Sequence, residues 1–332
     1  MNLILKNPLL FSILLFSLIL RLLFLNFFPE LNFPDARAYE AIGKQIFSGE
    51  LITNHIYMPL YPILTYLSGG GVLKNLVDIF LSVAMVWVIY ELTYQLFKNR
   101  VSSLFAAIIS SAYPHFVFYS ISGLTETFFT LFLLISFLLF YKEKYFFAII
   151  SLISLVLIRP SLDLLNIFLV ISFTFFVFQR GYIKTIKHCF IYILLYVILM
   201  APWWAHQYSK YGEFVRLNLG DGIVLYSGNN PLNETGGGVG RYVGKSDMDL
   251  SHFNKIVSPI ERNNAMKDSA KNFIIENPGR FLELSYRKFI RFWRLWPYTE
   301  EYQQWYTIVA SLISYGVVLF MAIGFVIKTS KK

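Results

Sequence analysis

The chain has a single cysteine, Cys189, in 332 residues. A disulfide framework needs cysteines in pairs, so that class of scaffold is excluded. Charge is the second scarcity. Asp, Glu, Lys and Arg make up 15% of the residues, against about 25% in soluble globular chains. Disorder requires high charge and low hydrophobicity, the reverse of this composition. Glycine (19) and proline (12) stand at ordinary levels, which excludes collagen-like and low-complexity chains. No internal repeat with matching interrupted helices is present, so the inverted-repeat transporter pattern is absent.

What fills the chain is apolar. Hydrophobic residues make up 56%, and the mean hydropathy is +0.54. A bilayer core takes roughly 20 helical residues. Eight segments meet or approach that length: 8–28, 76–97, 101–118, 124–141, 145–158, 164–178, 190–202 and 306–327. They predict an all-α polytopic membrane protein with about eight transmembrane helices. Residues 1–202 would form a transmembrane domain whose first outer loop is 29–71. Residues 203–305 would form a small mixed outer segment, and 306–332 a last transmembrane helix with a basic cytoplasmic tail. The first span reads as a signal anchor, because its apolar run exceeds the roughly 7–15 residues of a signal-peptide core and no A-x-A-like site follows.

The formal charge of +9 suits nucleic acid or a membrane surface. Placement decides between them. With the N-terminus in the cytoplasm, the cytoplasmic side holds Lys6, Lys98, Arg100, Lys142, Lys144, Arg180, Lys184, Lys187, Lys328, Lys331 and Lys332. Every short connection on that side is therefore basic, as the positive-inside rule requires. Most of the remaining basic residues lie in 203–305, a segment too long for the rule to govern. Nothing here calls for nucleic acid.

The acids gather on the other side. In the first outer loop, Pro34-Asp35 precedes a helical run whose Ala38, Ile42 and Ile46 form an apolar stripe, the pattern of an interfacial amphipathic helix. Asp35 fits an N-cap, and a capping carboxylate can also face a cleft. Glu126 begins the fourth span, as a first-turn acid facing the helix dipole or as a functional intramembrane carboxylate. Arg159-Pro160 interrupts the end of the fifth span, where a guanidinium can hold a phosphate or pair with Asp163 or Glu126. Asp78, near the outer end of the second span, belongs to the cleft or, more simply, is solvated at the interface, and Glu91 snorkels or pairs with Lys98. In the outer segment, 212–231 alternates as a short strand or extended loop. The glycine-rich stretch 236–240 reads as a flexible loop, and Asp247-Met248-Asp249 is a bare D-x-D tripeptide. Ser258-Pro259 starts a helix to about Glu276. The stretch 280–296 is an amphipathic helix in which Arg280, Arg287, Lys288, Arg291 and Arg294 alternate with aromatic residues, suited to anionic headgroups or a lipid phosphate.

Five stretches carry a family likeness: Pro34-Asp35 through Tyr39, Ala41 and Gly43 to Gly49-Glu50; Met58-Pro59-Leu60-Tyr61-Pro62; Tyr119-Ser120 through Leu124-Thr125-Glu126; Ile158-Arg159-Pro160; and Pro202-Trp203 leading to Leu225-Tyr226-Ser227-Gly228-Asn229-Asn230-Pro231. In order and placement they resemble the lipid-linked-sugar-dependent membrane glycosyltransferases of the GT-C fold, in the branch of bacterial protein-mannosyltransferase and aminoarabinose-transferase-like proteins. Two departures stand out. Met58 occupies a position where some relatives have lysine, and His206-Gln207 stands where relatives often read Arg-Asn.

The resemblance implies a polyprenyl-phosphate-linked sugar as donor, Asp35 as the essential carboxylate and Glu126 as the second acid. It places the active site on the periplasmic face of a bacterial inner membrane. Sugar transfer needs a base for the acceptor hydroxyl, cations for the leaving phosphate and exclusion of water. Asp35 is the expected base and Arg159 the first choice for the phosphate. His55, Arg37 and Lys288 are further phosphate candidates, and Tyr39, Tyr61 and Asn229 further substrate contacts. Direct displacement inverts the anomeric centre. No cofactor is expected, and no metal, since position 37 is Arg and leaves Asp35 outside any D-x-D. The acceptor is a glycan, lipid or protein hydroxyl. Two other readings stay open: a flippase or transporter for a lipid-linked sugar, and a non-catalytic subunit of a glycan-assembly complex.

Overall fold

The computed structural model describes residues 7–28, 33–50, 52, 56–237, 248–297 and 303–330. They are helical, with no strand among the described residues. The chain divides into two compact units, Met1–Leu217 and Asn218–Lys332.

The N-terminal unit opens with α1 (Pro8–Phe27), where Asn7 accepts the Leu10 amide and Pro8 supplies a preset first turn. Then follow α2 (Pro34–Ser48), α3 (Leu60–Leu67), α4 (Gly71–Phe97), α5 (Arg100–Ser111) and α6 (Pro114–Tyr119). The expected span 101–118 is thus two helices. Pro114 has no amide to continue α5 and begins α6 instead. An apolar hairpin, α7 (Glu126–Tyr141) and α8 (Tyr145–Ile158), forms the centre, with Leu152, Ile153 and Leu155 fully buried. The unit closes with α9 (Leu165–Ile171), which runs on through a π-helical stretch (Ser172–Val177), and with α10 (Tyr182–Tyr211). Pro202 lies inside α10 and does not end it. The indole N–H groups of Trp203 and Trp204 donate to the Leu217 and Arg216 carbonyls at 2.6 and 2.7 Å, fastening the chain that follows.

The C-terminal unit contains α11 (Asp221–Gly228), α12 (Pro259–Glu276), α13 (Pro278–Phe292), α14 (Trp305–Ser311) and α15 (Val317–Ser330), the last two joined by a π-helical stretch. Ser258 caps α12 through the Glu261 amide. Where a short strand or extended loop was expected over 212–231, residues 212–220 form a loop and 221–228 form α11. Its first turn is tied to α12, the Gly222 amide donating to Asn263 Oδ1 at 2.8 Å and Asn263 Nδ2 to Asp221 Oδ1 at 2.7 Å. An edge without a neighbouring strand leaves backbone groups unpaired, whereas a helix satisfies its own.

Each of the eight apolar segments is helical. Four helices are long and apolar enough to cross a membrane: Pro8–Phe27, Gly71–Phe97, Tyr182–Tyr211 and Trp305–Thr329. Arg100–Ser111, Glu126–Tyr141, Tyr145–Ile158 and Leu165–Val177 are shorter apolar helices.

Charges inside the N-terminal unit are enclosed by partners. Arg21 is wholly buried and donates to Ser82 Oγ at 2.8 Å, to Ser17 Oγ at 2.5 Å and to the Ser111 carbonyl at 2.9 Å, so it locks α1, α4 and α5 together. Two expectations are corrected. Asp78 is not solvated at the interface. It is 0% exposed, ion-paired with Lys74 one turn earlier, and accepts the Tyr61 hydroxyl at 3.2 Å. Glu91 pairs with Lys142 at 3.3 Å rather than with Lys98, because α7 packs along α4 and ends beside it, while Lys98 donates to Gln95.

Removing one partner of a buried ion pair strands the other charge. Lys74→Met is therefore expected to cost about 3–5 kcal/mol. The double variant Lys74→Met/Asp78→Leu should recover most of it. Thermal unfolding in detergent reads both, and a Lys74→Met protein that melts like wild type contradicts this account of the pair.

Candidate functional site

The site forms at the end of the N-terminal unit where α7 begins and α8 ends. α2 starts with Pro34, and Phe33, in extended conformation, takes the cap position. The expectation that Asp35 is the N-cap is thus corrected. Asp35 stands inside the first turn, where its charge meets the positive end of the helix dipole. Its side chain turns to another partner, with Oδ1 accepting the Tyr57 hydroxyl at 2.8 Å.

One turn along the same face is Tyr39, which is buried. Its ring meets those of Tyr57 and Tyr61 edge to face, each at 4.9 Å between centroids. Burial, then the Asp35 charge, push the Tyr39 hydroxyl well above its ordinary pKa, with Arg159 acting in the opposite sense and Glu126 adding to the rise. Burial and the hydrogen bond to Asp35 do the same to Tyr57. Both phenols stay protonated donors. Tyr61, wholly buried, accepts from Lys74 and donates to Asp78, so the ring beneath Tyr39 is anchored to the buried ion pair.

Two close approaches assemble these pieces. A Cβ on Gly43 would fall 2.5 Å from the Pro62 carbonyl oxygen, so only glycine lets α2 lie this near α3. Gly123, at φ +67°, turns the chain into α7 with its Cα against Ala36, where an added Cβ would stand 3.1 Å from the Ala36 Cβ. That contact sets the start of α7 beside the first turn of α2.

Glu126 is the first residue of α7, and Arg159 the residue on which α8 ends. Pro160 forces Arg159 out of helical geometry into an extended one, φ −148° and ψ 130°. The two helices are antiparallel, so these ends meet, and Arg159 Nη1 lies 2.9 Å from Glu126 Oε1. Of the two partners expected for Arg159, Glu126 is the one it takes. Asp163 instead accepts the Tyr196 hydroxyl at 2.5 Å and pairs with Arg216. The other oxygen, Glu126 Oε2, is buried with no hydrogen-bond partner among the described residues. Arg159 is 47% exposed.

The structure therefore brings together Asp35, Tyr39, Tyr61, Glu126 and Arg159. Arg37 is exposed on α2, and His55 lies outside the described residues. Asn229 and Lys288 belong to the C-terminal unit, where Lys288 Nζ donates to Asn229 Oδ1 at 3.1 Å. Asp247 and residues 238–240 lie outside the described residues, and Asp249 Oδ1 accepts the Ser251 amide. Sequence reasoning missed Tyr57. It sits in a loop, where no periodicity assigns a facing, next to the Met58-Pro59 stretch. It also missed the Lys74–Asp78 support, although the i, i+4 spacing on one helix was a readable signal.

The arrangement offers an accessible carboxylate, a carboxylate oxygen without a partner, a guanidinium and two phenol donors at the end of an apolar helix cluster. Such a set can accept protons from hydroxyl groups and hold an anion. Compared with known protein families, with curated proteins and with solved structures, the chain has no match.

A half-exposed ion pair contributes up to about 1 kcal/mol to stability. Glu126→Gln is expected to shift the melting temperature in detergent only slightly. A loss of several kcal/mol would make Glu126 a structural residue and remove it from the site.

Proposed function

We propose that the chain is a polytopic membrane glycosyltransferase of the GT-C type. In this reading the four long and four shorter apolar helices make eight spans, with both termini in the cytoplasm and the site on the periplasmic face of a bacterial inner membrane. The donor is a polyprenyl-phosphate sugar and the acceptor a hydroxyl of a glycan, lipid or protein. One observation carries the reading: the close approach of Gly123 to Ala36 sets the Glu126–Arg159 pair, at the start of α7, beside the first turn of α2, where Tyr57 holds Asp35.

The roles follow from the chemistry of each group. Asp35, held by Tyr57, takes the proton of the acceptor hydroxyl as its oxygen bonds to the anomeric carbon. The bond from that carbon to the phosphate oxygen breaks, and the electron pair leaves with the polyprenyl phosphate. Arg159 balances the charge that builds on this leaving group. Glu126 accepts a hydroxyl of the donor sugar on Oε2, which a turn of its 29%-exposed side chain uncovers and which has no hydrogen-bond partner among the described residues. Attack opposite the leaving phosphate inverts the anomeric centre.

Asp35→Asn keeps the size of the side chain and its oxygen for Tyr57. It should insert, fold and bind donor, yet lose transfer. Wild-type transfer by this variant would overturn the assignment and favour an accessory or transport role. Tyr57→Phe removes one hydrogen bond to a charged group, about 1.5–3 kcal/mol. It should lower kcat roughly ten- to a hundredfold with donor KM held. An unchanged kcat would show that Tyr57 does not position Asp35.

A further inference from the structure

The C-terminal unit packs on one side of α13. There Leu284 is wholly buried, and Lys288 Nζ donates to Asn229 Oδ1 at 3.1 Å. Gly236 lies so close that an added Cβ would stand 3.2 Å from the Leu284 carbonyl oxygen, so this side is closed.

The opposite side is open and apolar. Steps of four, three and four place Leu282, Tyr286, Phe289 and Trp293 in one stripe. They are 66, 66, 60 and 44% exposed, and Phe292 beside them is exposed as well. A surface helix of a water-soluble unit turns its apolar stripe toward the core. α13 does the reverse, keeping Leu284 inside and turning a leucine and three aromatic rings out. Along one edge of the stripe runs a row of charge, where Glu283 accepts from Arg280 at 2.5 Å and from Arg287 at 2.8 Å. Rings on one face and paired charges at their border suit the boundary between lipid headgroups and acyl chains.

The chain that follows supplies that boundary. Trp305–Thr329 is long and apolar enough to cross a membrane. It opens on Trp305 and Tyr306, both exposed, and α13 ends on Trp293, with exposed Trp296 next in the chain. Tryptophan and tyrosine collect where a membrane meets water. Aromatic anchors thus stand at both ends of the connection. Even fully extended, that connection keeps the end of α13 within about 40 Å of the start of the span.

We propose that α13 lies in the headgroup layer of the leaflet in which the last span begins, with the Leu282–Trp293 stripe set against lipid acyl chains. The proposed reaction uses none of the stripe residues. Wild-type protein is placed in nanodiscs of phosphatidylglycerol and phosphatidylcholine, part of the latter carrying a photoreactive diazirine in its acyl chain. After illumination and digestion, mass spectrometry locates the lipid adducts. A parallel sample is exposed to hydroxyl radicals, which oxidise side chains in contact with water. Adducts are expected on Tyr286, Phe289 and Trp293 and on Phe320, exposed on the last span, with none on Asp268, exposed on α12. Adducts on Phe320 without adducts on α13 overturn the proposal. Oxidation of Tyr286 and Phe289 then shows a face turned to water, and resistance to oxidation a face covered by protein. Equal labelling of Asp268 overturns it too, because α13 would be no nearer to lipid than the rest of its unit. Both results leave the proposed catalytic site standing. Adducts on neither α13 nor Phe320 overturn the proposal together with the membrane-spanning reading of Trp305–Thr329.

Discussion

A charge placed among apolar helices must be given a partner, because burying it alone costs several kcal/mol. The N-terminal unit follows this constraint nearly throughout. Arg21 is wrapped by serine hydroxyls and carbonyls, Lys74 is closed by Asp78, and Glu91 by Lys142. Asp163 is closed by Arg216 and Tyr196. Single atoms of Arg21 and Asp78 lack partners, yet both residues are wholly enclosed and no ligand reaches them. Glu126 Oε2 differs. Among the described residues this buried atom has no partner either, but its side chain is 29% exposed and lies beside an arginine that is half exposed. The site is where the pairing is left incomplete at the exposed edge of the unit.

The pairs that obey the rule support the place that does not. Lys74 and Asp78 anchor Tyr61, Tyr61 backs Tyr39, and Tyr39 packs on Tyr57, which holds Asp35. The residues that would act on a substrate are thus set by packing against a buried ion pair, which fixes their geometry before anything binds. On the proposed reading, this preorganisation lets a carboxylate in the first turn of α2 serve as base.

The fold was legible where the physics is local. Long apolar runs, Pro34 and Pro259 at helix starts and the Ser258 cap all read directly from neighbouring residues. Asp35, Glu126 and Arg159 stood out because ionisable residues at the ends of apolar helices are costly and few. What escaped depends on distant packing. Glu91 finds Lys142 because α7 lies along α4, Tyr57 reaches Asp35 across a loop, and α11 is a helix because Asn263, in a later helix, ties down its first turn. Asp35 was legible as a residue but not in its local role. Phe33 takes the cap position, which leaves the carboxylate for Tyr57.

On the proposed reading, the end of the N-terminal unit cleaves a polyprenyl-phosphate sugar and moves the sugar to a hydroxyl. Incubating the purified wild-type protein with a panel of such donors, and scoring the release of polyprenyl phosphate, tests it most directly. At least one donor should be consumed over many turnovers, giving a product of inverted anomeric configuration. Donors that bind and are recovered intact across the whole panel would contradict it and describe a carrier rather than a transferase.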